Sequence, residues 1–331
     1  MQQVWEMTAL MRLIVAFQPG YPERLWPFAK YARQYKLHVE MDLTQRTHLF
    51  LENMAALDDV FGPYLETPLR PQPVDLLLSN FPELARNIFC YAIWAGHLEL
   101  LGFILPRVNN TYHSATEMAA FHGQIDVLNN LEEHNLASYS SQTLHWACRE
   151  GHLKCVEFLH QRVIHGDTIA MDAAAVNGHF EIVKFLHTYR SEGCTANAMD
   201  SAAESGHLDI VKFLHLHRSE GCTTAALDMA AANGHLDIVK FLHSNRTDGA
   251  TTTAMTLACC NGHLDVVKFL FEHRSEGCTS RALNGAREEK HWQVEEFLLQ
   301  HANKLHIDVS ETVSSRCSCR PVKVLSDYLL I

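Results

Sequence analysis

Between Leu236 and Leu242 the chain alternates Leu236, Ile238, Val239, Phe241 and Leu242 with the charged Asp237 and Lys240. Ile238, Val239, Phe241 and Leu242 stand at i, i+1, i+3 and i+4, so they share one face of a short helix, the one following the His235 that opens it. Upstream, Leu227, Met229, Ala230 and Ala231 mark another short helix. Thr223 or Thr224 stands where an oxygen can cap its free N–H groups, and Asn233-Gly234 stands where it must stop. Arg246–Gly249 ends the second helix and leads to the next threonine. The pattern predicts two short helices joined by a glycine turn.

The same pattern recurs. Asn233–His243 reads NGHLDIVKFLH, Asn177–His187 reads NGHFEIVKFLH, Ser205–His215 reads SGHLDIVKFLH, and Asn261–Phe271 reads NGHLDVVKFLF. Glu150–His160 and Ala95–Leu105 are looser copies, and His122–Glu132 and Glu289–Leu299 the most degraded. The turn glycines are Gly96, Gly123, Gly151, Gly178, Gly206, Gly234 and Gly262, with Lys290 in the next register, in steps of 27 or 28 residues. A period of this size means units that stack on their neighbours and do not close a core alone. The predicted fold is an all-α, curved α-solenoid of stacked helix–turn–helix units.

Three regions follow. Residues 84–301 form the array, of about eight repeats. Residues 1–83 read as a helical N-terminal region, a cap or decayed repeats, with candidate helices around Leu10–Phe17, Trp26–Tyr35 and Thr47–Leu65 and an extended linker at Pro68, Pro71 and Pro73. Residues 302–331 are a tail carrying Cys317-Ser-Cys319 and an apolar finish from Val324 to Ile331. At the end of the array, Arg287, Glu288, Glu289, Lys290, Glu295 and Glu296 replace small or apolar residues, as a polar cap requires.

Charge and cysteine usage narrow the function. With 27 Lys plus Arg against 38 Asp plus Glu, the net charge of −11 disfavours a nucleic-acid partner. The apolar run Ala9–Phe17 is broken by Arg12 and too short to span a bilayer, which points away from a signal peptide or membrane anchor and towards cytoplasm or nucleus. Cys194, Cys222 and Cys278 share a register, where stacked helices lie roughly 8–10 Å apart. That exceeds the reach of a disulfide, so reduced thiols are expected. The expected acid and lysine pairs at i, i+3 on the second helices are Glu181/Lys184, Asp209/Lys212, Asp237/Lys240 and Asp265/Lys268, with Lys154/Glu157 exchanged.

Nine of the 22 histidines form two columns, His152, His179, His207, His235 and His263, and His160, His187, His215 and His243. Successive members stand roughly 10 Å apart, too far to share a zinc ion with bonds of ~2 Å. The first column is expected to hydrogen-bond neighbouring turns and the second to cover unit junctions. No nucleotide, hydrolase or metalloprotease motif appears, and acids that recur by register argue against a single catalytic pair. The chain reads as non-enzymatic, without cofactor or metal.

The Ala-Ala pairs at Ala119-Ala120, Ala174-Ala175, Ala202-Ala203 and Ala230-Ala231, with Ala258-Cys259, and the Gly-His turns resemble the ankyrin repeat. The likeness is closest at Thr143–Leu153 (TLHWACREGHL). Loops such as His243–Thr252 and Leu216–Thr224 are similar to the shortened variety expanded in water moulds. Units of 27–28 residues fall short of the usual 33, which predicts that the β-hairpin finger is reduced to a tight loop. The Thr-Pro-Leu-His start is also lost: only His145 keeps its histidine, replaced elsewhere by Asp172, Asp200, Asp228 and Thr256. The resemblance implies a monomeric protein–protein interaction scaffold that binds another protein on its concave surface. Candidate contacts are Met118, Phe121, Trp146, Arg149, Glu150, Ser201, Glu204, Met229 and Asn233. An adaptor that docks a second machine through residues 1–83 is the alternative, and a histidine-based metal sensor a lesser one.

Overall fold

The computed structural model describes Leu78 and residues 85–108, 114–163 and 165–305. The expected N-terminal helices and proline linker, and the tail from residue 306 with Cys317 and Cys319, lie outside them. Among the described residues every regular element is a helix and there is no strand. They fall into two compact units, one holding the residues up to Ala119 with Asp126–Ser138, the other Ala120–Ile125 and the chain from Tyr139 onward.

The first unit contains α1 (Ala85–Trp94), α2 (Leu98–Ile104), a 3-10 turn (Leu105–Arg107), and most of α3 (Ser114–Phe121) and α4 (Ile125–Glu133). Ile88, Phe89, Tyr91, Ile93, Leu100, Leu101 and Ile104 are buried in it. Thr116 Oγ1 donates to the Ser138 carbonyl at 2.7 Å, which ties the start of α3 to the segment after α4.

The second unit is a stack of helix pairs: α5 (Ser141–Arg149) with α6 (Leu153–His160), α7 (Ile169–Val176) with α8 (Phe180–Tyr189), α9 (Ala196–Glu204) with α10 (Leu208–His217), α11 (Thr224–Ala232) with α12 (Leu236–Asn245), α13 (Thr252–Cys260) with α14 (Leu264–His273), and α15 (Arg281–Glu288) with α16 (Trp292–Gln300), followed by α17 (Ala302–Leu305). First helices pack side by side more extensively than second helices do. The reason is side-chain size. Ala202, Ala203, Ala230, Ala231, Ala258 and Cys259 are buried, and such small residues let helix axes approach closely. Of the four residues predicted to share a face in α12, Ile238, Val239 and Leu242 are buried and Phe241 is half-buried, while Asp237 and Lys240 stay in water; α6, α8, α10 and α14 bury the same three positions, and α16 only Val294 and Leu298.

Threonine caps three of the first helices. Thr195, Thr223 and Thr251 accept at Oγ1 from the N–H groups of Asn197, Ala225 and Thr253 at 3.2, 3.1 and 3.0 Å. The aspartates that stand where the ankyrin histidine would be hold these same threonines from the preceding unit. Asp172, Asp200 and Asp228 each accept both the N–H and the hydroxyl of Thr195, Thr223 and Thr251, at 2.6–2.8 Å. Thr256 does the same for Thr279, accepting its N–H at 3.0 Å. Each clamp fixes one unit to the next, the aspartate clamps through charge-assisted bonds. Asp228→Ala is expected to cost about 1–2 kcal/mol, because it removes a buried carboxylate that accepts two hydrogen bonds from Thr251. Asp228→Thr, which copies the Thr256 arrangement, is expected to cost under about 1 kcal/mol. Urea denaturation of the two variants measures the difference.

Between units the chain turns through a tight Arg-x-acid-Gly loop, with no hairpin finger. Arg246 Nε donates to Asp248 Oδ2 at 2.8 Å, and Arg190–Glu192, Arg218–Glu220 and Arg274–Glu276 pair in the same way. Arg190 also donates to the Val163 carbonyl of the preceding loop at 3.1 Å. The Arg218 guanidinium holds the Glu220 carboxyl down at about 2, and Arg246 and Arg274 lower Asp248 and Glu276. The expected second-helix ion pairs are corrected: among the described residues only Glu181–Lys184 closes, at 2.6 Å. Lysine head groups in open water gain too little from an exposed carboxylate to be held. All eight described cysteines are free thiols.

Acid should unfold the array in two stages. Burial, and to a lesser degree His152, lowers His122 from 6.5 to about 4, so its contribution is lost as pH falls from 6.5 towards 4. Allowing for the ring's partial exposure, that is on the order of 2 kcal/mol. The loop carboxylates follow. Their depressed values add stability above the ordinary 4.5 of glutamate and 3.8 of aspartate, lost as pH falls, towards about 2 for Glu220. Melting temperature measured against pH should fall in both windows; a flat profile between 6.5 and 4 contradicts the burial of His122.

Candidate interaction surface

The first helices present one register of half-exposed positions one turn before the glycine turn: Ser201, Met229 and Leu257. A second register, at or near the last helical residue, runs Arg149, Val176, Glu204, Ala232, Cys260 and Glu288. Of the residues expected to meet a partner, Phe121, Arg149, Glu150, Ser201, Glu204, Met229 and Asn233 are half-exposed. Met118 and Trp146 are not on the surface, with relative exposures of 0% and 2%. The expectation that they contact a partner directly is therefore corrected. Trp146 shares a register with Ala173, Ser201 and Met229, but its indole turns inward, edge-on to Phe121 at 5.5 Å and beside His145 at 5.3 Å. Arg149 spreads over that indole at 5.2 Å and reaches Glu150 at 3.6 Å.

The glycine turns place the rest. Each turn glycine has a positive φ, +79° at Gly234, and where a histidine follows its N–H returns to the helix, His235 to Ala230 at 2.9 Å. The histidine ring reaches the preceding unit: His152, His179 and His235 donate from Nε2 to the carbonyls of Phe121, Arg149 and Glu204 at 3.0, 2.9 and 3.0 Å. These carbonyls sit at helix C-termini, where no intrahelical donor remains. Asn233 and Asn261 add side-chain amides to the Glu204 and Ala232 carbonyls at 2.9 and 2.7 Å, so Asn233 has a joining role besides any contact. The second histidine column covers the junctions. His160, His187, His215 and His243 set their rings against Phe185, Phe213, Phe241 and Phe269 of the next unit, at 5.3–5.6 Å and nearly perpendicular.

Glu204 differs from the rest of this face. Its Oε1 is buried without a hydrogen-bond partner, and burial raises its carboxyl above the ordinary range. Sequence reasoning missed Val176 and Leu257, which share the registers of Glu204 and Met229 and were findable from the period alone. It also missed the threonine clamps, whose signal was an acid 23 residues before each capping threonine.

Among the described residues no group of three or more His, Cys, Asp or Glu converges as metal ligands. A recess between Cys222, Thr223, Leu242, Arg246, Asp248 and Arg274 has room for about one water molecule, against the ~300 Å³ or more of a ligand site. No described helix is long and apolar enough to cross a membrane. What this geometry offers is a row of exposed helix faces on a repeating support.

A family model described as Ankyrin repeats (3 copies) matches residues 144–225, 201–282 and 227–310, together half of the chain. The chain belongs to the ankyrin-repeat family. No curated protein matches it. Ankyrin repeats generally mediate protein–protein interaction and are typically non-enzymatic. This ankyrin array keeps the alanine-paired first helix and the Gly-His turn. It replaces the Thr-Pro-Leu-His tie with an aspartate–threonine clamp and the projecting finger with an Arg–acid loop.

Proposed function

We propose that the chain is a non-enzymatic scaffold that holds a partner protein against the first-helix face of its ankyrin array. Arg149, Glu150, Ser201, Glu204, Met229 and Asn233 would touch the partner, joined by Val176 and Leu257. One observation carries this reading. The half-exposed position changes from Ser201 to Met229 to Leu257, while the buried pairs beside it stay Ala-Ala or Ala-Cys. A face relieved of packing, on a support held rigid at every junction, fits binding. Phe121 lies at the edge of this face.

The test is affinity capture on the intact chain, with captured proteins identified by mass spectrometry. Met229→Glu with Leu257→Glu should weaken capture by about 30-fold, the scale of losing a hot spot. Lys212→Ala with Lys240→Ala, on the solvated second helices, should leave it unchanged. The reverse pattern would place the binding surface on the other side of the stack.

A further inference from the structure

Glu204 ends α9 with a carboxylate that does nothing for the fold. Its main-chain carbonyl is used twice, by Asn233 and His235, but its side chain forms no hydrogen bond or ion pair among the described residues. The position opposes the charge in two ways. A negative group at a helix C-terminus faces the negative end of the helix dipole, and a carboxylate oxygen shut from water without a donor is costly. The repeat itself shows what the site prefers for stability. The same register holds Val176 one unit before, Ala232 one unit after and Cys260 two units after. Any of these would satisfy the stack better than glutamate.

Taking Proposed function as its basis, we infer that Glu204 is the anchor for a lysine or arginine side chain of the partner protein, received beside the half-exposed apolar positions Val176 and Met229. Chemistry selects this occupant. A donor at Glu204 must bring positive charge to compensate the carboxylate, and it must cross an apolar surround. A long basic side chain does both, laying its methylene stem on the aliphatic residues while its head group pairs with the acid. A bare divalent cation would need several oxygen ligands together, and no such group converges here among the described residues. The net charge of −11 steers a basic segment towards the chain. The mid-stack position sets Glu204 at the centre of the proposed face, where a desolvated pair has most effect.

A random linear peptide library panned on the intact chain tests this, with Glu204→Val, Glu204→Gln and Met229→Glu as comparison targets. The enriched peptides should share a lysine or arginine flanked by apolar residues. Glu204→Val should weaken them by about 30-fold, and Glu204→Gln should weaken them with little change of shape. The same Glu204→Val should melt about 2–4 °C higher than the parent, since valine is native to this register. Binding that falls while stability rises is the mark of a group kept for a ligand. If Glu204→Val melts lower, the carboxylate is structural and the inference fails. If Met229→Glu abolishes binding and Glu204→Val leaves it intact, the inference fails and the first-helix face stands. Peptides indifferent to both variants overturn the face as well, and enrichment without a basic residue, or no enrichment, overturns the anchor.

Discussion

Trp146→Ala should lower the stability of the chain by about 3–5 kcal/mol, the cost of removing a large buried aromatic and leaving a void. The indole is among the largest fully buried side chains and packs edge-on against Phe121. Alanine would remove that contact and the platform beneath the Arg149 guanidinium, 5.2 Å from the ring. Trp146→Phe should cost much less, under about 1.5 kcal/mol. Phenylalanine keeps an aromatic edge for Phe121 and deletes Nε1, which is buried without a hydrogen-bond partner and already costs the native state. Urea titration followed by circular dichroism separates the two. A Trp146→Ala variant within about 0.5 kcal/mol of the parent, the range of surface changes, would mean the residue is not core. The same experiment governs how binding data are read. Any loss of partner on Trp146→Ala comes through the fold, whereas a loss on Arg149→Ala can come from the surface.

This residue also shows where a sequence stops being legible. Period, helix pairs, capping threonines and glycine turns were readable because backbone geometry demands particular residue types at fixed spacing. Gly234 and Thr223 announce themselves. The burial of Trp146 was not readable, since its register is half-exposed at Ser201 and Met229 and only the side chain's rotation decides its side. The ion pairs misled for a related reason. Spacing put Asp237 and Lys240 in reach of each other, but reach is not attraction enough to hold a lysine out of water. Meanwhile the acids that do pair, Glu220 and Asp248, sit two residues after an arginine in a loop where no helical rule applies. The candidate face was half-legible. Its registers follow from the period, but the isolation of Glu204 is a fact about surroundings, visible only once the neighbours are placed.

Gly234→Ala should destabilise the stack by about 2–4 kcal/mol, and Lys290→Gly, at the equivalent turn of the last helix pair, should stabilise it by about 0.5–1 kcal/mol. Both follow from one backbone conformation. Gly234 has φ +79° and Lys290 has φ +62°, a region that costs a residue with a β-carbon about 1–2 kcal/mol. At Gly234 space adds to strain. A β-carbon there would stand 2.5 Å from His263 Nδ1, so the imidazole must move. Moving the ring also disturbs its approach to the Ala232 backbone. Lys290 pays the backbone strain already, so glycine removes it, less the entropy that glycine returns to the unfolded chain. The two sites also differ in place. Position 234 lies mid-stack, so weakening its junction should broaden the transition as units on either side uncouple, whereas position 290 lies at the end and should shift the midpoint without broadening. Equal and small effects at both turns would mean that the left-handed turn, the most regular feature of the sequence, is not what holds the repeats in register.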